Sequence, residues 1–207
     1  MSRLHNILKG AALAAATVAM FTGLSKTALA YNNLVSNSSV ETVSATAQPT
    51  DWQTSSWGSL ATKFSYKAAG QASSHSVRVD VSNYQSGDAK WYFKPVQTTP
   101  LRQYIYSDYY KSSAATSLVV AFTRADGSVI YQWLADVPAS STWKKTTQFI
   151  VTPADTTQTT VYHLIMGNGF VQTDSFVFKQ AEDVAVANGV ANNSLEVASE
   201  ADANLPA

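Results

Sequence analysis

The chain of 207 residues contains no cysteine, which excludes a disulfide framework, cysteine-ligated zinc and a thiol nucleophile. Charge is scarce too. Charged residues make up 14% of the chain, against roughly 25% in an average soluble domain. The 14 basic and 14 acidic side chains cancel, so there is no net electrostatic pull on a phosphate backbone, and nucleic acid is not an expected partner. Histidine occurs three times. The two outside the N-terminal leader, His75 and His163, lack the helical or hairpin spacing of zinc ligands. There is no G-x-S-x-G elbow, P-loop, H-E-x-x-H or G-x-G-x-x-G, so the common local signatures of hydrolase, nucleotide and metalloprotease chemistry are missing.

What the chain has is aromatic residues (5 Trp, 10 Tyr and 8 Phe) and hydroxyls, Ser and Thr supplying about a fifth of the residues. A surface made polar by hydroxyls rather than charges suits an extracellular β-protein. The length allows one ordinary domain with extensions or two very small ones. Arg3 and Lys9 precede an Ala-rich apolar run from Ala11 to Leu24, and Ala28-Leu29-Ala30 has the small-x-small pattern of a signal-peptidase site. The run is shorter than the roughly 20 residues of a spanning helix. A signal peptide over 1–30, cleaved after Ala30, is therefore expected, with secretion and no membrane span in the mature chain. Cleavage removes Arg3, Lys9 and Lys26 and no acid, leaving 11 basic against 14 acidic groups.

From Tyr31 to Gln180 alternation broken by turn chemistry dominates. In His75 to Ser82, Val77, Val79 and Val81 fall on one side and Arg78 and Asp80 on the other, the period of a half-buried strand. Further strands are expected at Ala61–Lys67, Lys90–Gln97, Arg102–Lys111, Ser117–Arg124, Ser128–Ala135, Lys144–Val151, Thr159–Met166 and Gly169–Phe178. Ala125-Asp126-Gly127-Ser128 reads as a hairpin turn. Many short strands and no window of helical period predict an all-β, two-sheet antiparallel β-sandwich over 31–180. The tail, 181–207, holds five acids and no base or aromatic. It reads either as a disordered tail or as the first strand of a truncated second module, because Asn188 to Glu196 matches Asn33 to Glu41 at an offset of 155.

Several motifs are recognisable in order: NLVSNSSVE (Asn33 to Glu41), Trp52 and Trp57, SGDAKWYF (Ser86 to Phe93), YIYSDYYKS (Tyr104 to Ser112), WLADVPASSTWKK (Trp133 to Lys145) and GFVQTDSFVF (Gly169 to Phe178). Together, over about 33–180, they resemble the CenC-like carbohydrate-binding modules, galactose-binding-like jelly rolls attached to secreted polysaccharide-degrading enzymes. The resemblance implies a jelly roll, a ligand face lined with aromatics, and a structural calcium. It also implies the ion's ligands, since the family places a Glu of the first strand near an Asp of the last. Glu41 and Asp174 occupy those positions here, although Ser175 stands where the family often has a second acid.

A pyranose ring presents an apolar C–H face that an exposed Trp or Tyr can cover, while its hydroxyl rim needs polar side chains. Alternation sorts the candidates. Tyr104 and Tyr106 share a face and match the family's core positions, which leaves Tyr109 outward. Trp91 and Phe93 point inward and Tyr92 outward with Lys90. Tyr131 and Trp133 share a face that is either core plug or platform. Trp143 is assigned to the core. Tyr162 and Leu164 are placed on the core face, leaving His163 as a structural group or a sugar hydrogen-bonder. Asp108 reads as a buried anchor, a sugar contact or a catalytic group. The expected ligand residues are Tyr92, Tyr109, Trp133, His163 and Asp108, with no catalytic residue.

The sequence thus predicts non-catalytic polysaccharide binding by a secreted, calcium-stabilised module that targets an attached or partner enzyme, with a covalently linked catalytic or second binding module possible. A β-sandwich polysaccharide lyase or glycosidase is the alternative, and a cell-surface adhesion module a third reading.

Overall fold

The computed structural model describes residues 32–181; the expected signal peptide and the acidic tail lie outside them. Among the described residues there is no α-helix, and none that is long and apolar enough to cross a membrane. Eleven strands form: β1 (Trp52–Trp57), β2 (Ala61–Ala68), β3 (His75–Ser82), β4 (Asp88–Phe93), β5 (Val96–Gln97), β6 (Gln103–Ser112), β7 (Thr116–Arg124), β8 (Val129–Val137), β9 (Ser140–Val151), β10 (Thr156–Ile165) and β11 (Gly169–Gln180). They pair antiparallel in two sheets. One runs β1-β4-β10-β7-β8, with β5 also on β10, and the other runs β2-β3-β11-β6-β9. The expected β-sandwich is the observed fold.

The alternating residues of β3 do what their spacing requires. Val77, Val79 and Val81 are buried, and Arg78 and Asp80 stand on the outer surface. Facing them are Trp91 and Phe93 of β4, Leu118, Val120 and Phe122 of β7, and Val161 and Ile165 of β10. Aromatic rings fill one end of the sandwich. Tyr104 stacks on Phe178 at 5.1 Å between centroids, and Trp52 meets Phe176 at 4.4 Å and Phe93 at 6.1 Å. Each such buried ring removes about 150–250 Å² from water.

Local chemistry explains the boundaries. The expected strand Lys90–Gln97 is split into β4 and β5 at Lys94-Pro95, because proline has no N–H to donate to a ladder. The hairpin joining β7 and β8 turns at Gly127, whose φ is 83°. Its amide donates to Arg124 O at 3.0 Å, and Asp126 Oδ1 accepts from the Ser128 amide at 2.8 Å. β1 was not expected, since WQTSSW has no apolar alternation. Its two tryptophans are five residues apart and so fall on opposite faces. Trp52 enters the core while Trp57 is 63% exposed.

The opening segment is tied to the last strand without itself being one. Leu34 N donates to Phe178 O at 2.7 Å, Asn33 Nδ2 donates to Phe176 O at 2.8 Å, and Asn33 Oδ1 accepts from Phe178 N at 2.9 Å. The motif beginning at Asn33 is therefore a clasp on β11, with Asn side-chain atoms substituting for strand hydrogen bonds.

Two orientations differ from the sequence reading. In β10 the phase is inverted: Val161, His163 and Ile165 face the core, while Tyr162 and Leu164 point to the outer face of the sheet, where Leu164 is covered by its neighbours. Both faces of the run VYHLI are apolar apart from the histidine, so alternation alone could not choose between them. Trp143 is half-buried on an outer face rather than in the core. It belongs to edge strand β9, where Lys111 Nζ lies 4.8 Å from its ring centroid.

Candidate functional site: an aromatic cleft on the six-stranded sheet

The outer face of the six-stranded sheet carries a cleft of about 610 Å³, lined by Ser55, Trp57, Asp88, Lys90, Tyr92, Val119, Tyr131, Trp133, Tyr162, Leu164 and Met166. Antiparallel register brings these residues together from five strands. Trp57 pairs with Asp88, Lys90 with both Ser55 and Leu164, and Val119 with both Tyr162 and Trp133. A bulge between Leu118 and Val119 shifts the β7–β8 register, and beyond it Trp133 and Tyr131 both stand outward. They are 49% and 65% exposed, which is what a ligand platform requires and a core plug does not.

The rings are held at fixed angles. Tyr92 meets Tyr162 edge to face at 5.1 Å and 83°, and Tyr131 lies 6.3 Å from Tyr162 at 35°. Tyr162 forms the floor. Its hydroxyl is pushed far above the usual tyrosine range by burial, then by Tyr131, Tyr92 and Asp88. Tyr92 is raised by burial and then by Tyr131. Both phenols therefore remain protonated, able to donate and accept hydrogen bonds.

One end of the cleft is polar. Lys90 Nζ is 2.5 Å from Asp88 Oδ1, with both side chains only 10% exposed, and it lies 5.0 Å from the Tyr162 ring centroid. The other Asp88 oxygen accepts from Trp57 Nε1. Trp57 is itself set by a tight backbone approach, since a Cβ on Gly87 would lie 1.8 Å from Trp57 O and Gly87 has φ 98°. Only glycine fits there.

Of the residues expected to bind ligand, Tyr92 and Trp133 are brought together in this cleft. Tyr109 is not. It lies on the outer face of the other sheet, with Lys145 Nζ 5.9 Å from its ring. Asp108 and His163 are in the interior, 0% and 2% exposed, where no external sugar can reach them. Two apolar neighbours, Val161 and Ile165, carry His163 inward with them, and Asp108 follows as its hydrogen-bonded anchor. Sequence reasoning missed Trp57, Asp88 and Lys90 as cleft residues and assigned Tyr162 to the core. Only the outward Lys90, paired with Tyr92 by alternation, signalled a polar group on this face.

Glu41 and Asp174 meet at the loop between β2 and β3. Glu41 Oε1 accepts from the His75 amide at 2.7 Å and Oε2 lies 3.0 Å from His75 Nδ1. Burial pushes the Glu41 carboxyl up, but the side-chain and backbone hydrogen bonds of His75, its charge and the Ser73 hydroxyl outweigh this and hold it low. Asp174 Oδ2 accepts from Gln71 N at 2.6 Å and Ser73 Oγ at 2.8 Å, and Oδ1 from Ser175 N at 2.6 Å. His75 O, Ser73 Oγ and Asp174 Oδ2 crowd within 2.2–2.6 Å of the point where a Cβ on Gly70 would stand. Among the described residues no group of three or more His, Cys, Asp or Glu is placed to hold a metal, so any ion here would draw largely on hydroxyl and carbonyl oxygens.

No protein-family model and no characterised protein sequence matches the chain. Solved structures match it in fold. The CBM22-1 xylan-binding domain of Paenibacillus barcinonensis Xyn10C superposes with a TM-score of 0.54 at 15% identity, over 72% of this chain and 95% of that domain. The family 11 carbohydrate-binding module of cellulosomal cellulase Lic26A-Cel5E of Clostridium thermocellum gives 0.51 at 12%, over 73% and 95%. The enzymatically active domain of bacteriophage CBA120 tailspike protein 4 gives 0.57 at 14%, over 72% of this chain. The match spans 21% of the tailspike chain's length. At such identities the likeness establishes the fold, a jelly roll of the kind found in carbohydrate-binding modules.

Proposed function

We propose that the chain is a non-catalytic polysaccharide-binding module of CenC-like type that takes glycan in the aromatic cleft of the six-stranded sheet. The observation that carries this reading is the convergence of Tyr92, Tyr131, Trp133 and Tyr162 on one open surface, with the Asp88–Lys90 pair beside them. The rings offer apolar faces to sugar C–H groups, and Asp88, Lys90 and the phenols offer hydrogen bonds to the hydroxyl rim. The fold shared with the xylan-binding domain and the family 11 module supports the same reading.

A non-catalytic role is supported by the cleft's chemistry. Glycoside hydrolysis uses two carboxylates about 5 to 10 Å apart, and the lining residues include one, Asp88, which is already paired with Lys90. A lyase base needs a pKa near the working pH, whereas Tyr92 and Tyr162 are shifted away from it. Export through cleavage after Ala30 would place the module outside the cell. There it would hold an attached or partner enzyme near polymeric glycan and raise its effective concentration.

Calcium belongs to this proposal as a structural ion. The all-oxygen set around Gly70 fits a hard cation. Glu41, Asp174, Ser73 Oγ and the His75 carbonyl would hold it, and it would cross-link the opening segment, the β2–β3 loop and β11.

Affinity electrophoresis against neutral glucans, xylans and mannans, with a turnover assay on the same panel, tests the function. Retardation without product is the expected result. Product release, or mobility unchanged on every glycan, would overturn it.

A further inference from the structure

The second sheet has an outer face of different chemistry, which the cleft does not use. Lys63 and Lys67 of β2, Arg78 of β3, Lys111 of β6 and Lys145 of β9 all stand on it, since their strand neighbours Phe64, Tyr66, Val77, Val79 and Tyr110 pack inward. The exposed carboxylate on this face is Asp80. Asp174 also reaches it but is 0% exposed, with its oxygens taken by Gln71, Ser73 and Ser175. The chain as a whole balances 14 bases against 14 acids, so these cations around Asp80 are a local concentration of positive charge. The Asp80 carboxyl registers this field. Hydrogen bonds from Arg78 hold it low against burial, and the charges of Arg78, Lys67 and Lys63 add to the effect.

Three of these cations rest against aromatic rings. Arg78 Cζ sits 3.6 Å above the Phe170 ring, Lys111 Nζ 4.8 Å from Trp143 and Lys145 Nζ 5.9 Å from Tyr109. Aromatic support restrains long side chains before binding, which lowers the entropy lost when they engage a ligand. Register places Ser65, Arg78, Gln172 and Lys111 in one row across four strands, spaced by about 4.8 Å per strand. Between Lys63, Lys67, Arg78 and Phe170 lies a shallow depression of about 620 Å³ that also presents Ser65, Ser82 and Asp80. Among the described residues neither Lys63 nor Lys67 has an ion-pair partner, and both are exposed.

We propose that this face is a second binding surface, for a polyanionic glycan whose sugars carry carboxylate or sulfate groups, on the opposite side of the molecule from the aromatic cleft. Charge sets the sign of the ligand. Interleaved hydroxyl and amide groups suit a sugar's hydroxyl rim, which a bare phosphate backbone lacks, and the ring-supported cations place positive charge beside apolar surface, as an acidic pyranose requires.

The test measures mobility of the folded chain in gels containing polygalacturonate, alginate or dextran sulfate, with neutral dextran and duplex DNA as comparators, over a salt series. Retardation by at least one acidic glycan, weakened by salt and stronger than that by neutral dextran or DNA, is expected. The Lys63→Gln/Lys67→Gln variant should lower the slope of log affinity against log salt by about two, roughly one per lost contact. Its melting temperature, and its retardation by neutral xylan or glucan relative to its own mobility in a glycan-free gel, should match the parent. Retardation by polygalacturonate and alginate but not dextran sulfate assigns carboxylated sugars, and the reverse assigns sulfated ones. No retardation by any acidic glycan, equal retardation by DNA, or an unchanged salt slope in the variant would overturn the proposal. Trp133→Ala keeps the two faces separable, since it should weaken binding to the neutral panel and leave acidic-glycan retardation intact.

Discussion

His163 Nδ1 lies 2.7 Å from Asp108 Oδ2 between the two sheets, so that β10 of one sheet and β6 of the other are joined through the interior by a buried Asp–His contact. The same oxygen accepts from Tyr106 OH at 2.9 Å, and His163 Nε2 lies 2.8 Å from Thr116 Oγ1. Breaking a buried pair from one side leaves the other group uncompensated and costs about 3–5 kcal/mol, whereas replacing both with apolar residues is often close to neutral. Asp108→Ala and His163→Ala should each lower unfolding free energy by about that amount. Asp108→Leu/His163→Leu should recover much of the loss. Denaturant unfolding measures this, and additive single and double effects would show that the two groups are not coupled.

The cleft makes the opposite demand. Trp133→Ala and Tyr131→Ala remove exposed rings, so glycan affinity should fall by roughly 1–3 kcal/mol for each, the scale of a well-packed aromatic contact. The melting temperature should barely move. Isothermal titration paired with calorimetric melting separates the two readouts, and a large stability loss at constant affinity would remove these rings from the site.

Alkaline pH should unfold the protein through its buried phenols. Tyr106 is held well above the usual value of 10.0 by burial, then by the charge and the hydrogen bond of Asp108, and Tyr162 is raised by burial. Below pH 10 these phenols are protonated in both folded and unfolded chains, so their contribution to stability is complete. As pH rises further, only the unfolded chain releases the protons, and stability falls by about 1.4 kcal/mol per pH unit for a fully buried group. Tyr106→Phe should flatten that fall. A pH series of denaturant midpoints is the check, and equal slopes for the parent and the variant would contradict the assignment.

Calcium removal gives a fourth expectation. If the ion joins Glu41 and Asp174, a chelator should lower the melting temperature, because a ligand bound only by the folded state stabilises it by mass action. Glu41→Gln should abolish the calcium-dependent increment. Superimposable melting curves with and without chelator would remove the ion from the account.

Some of the cleft could be read in the chain and some could not. Tyr92 was recognisable because Trp91 and Phe93 on either side are strongly apolar, which leaves one outward position between them. Tyr162 was not, since Val161, Leu164 and Ile165 make both faces of β10 apolar. Trp57 lies in a strand with no alternation to reveal it.

What the sequence determined by itself was the sandwich, because strand period and turn chemistry are both local. The clasp of Asn33 on β11, the inward turn of His163 onto Asp108, and the gathering of Tyr92, Tyr131, Trp133 and Tyr162 into one cleft were decided by tertiary structure. These relationships cross between strands far apart in the chain. Alternation says which residues share a face, but only the pairing of β10 with β4 and β7, and the packing of Val161 and Ile165 into the core, decides which face meets water.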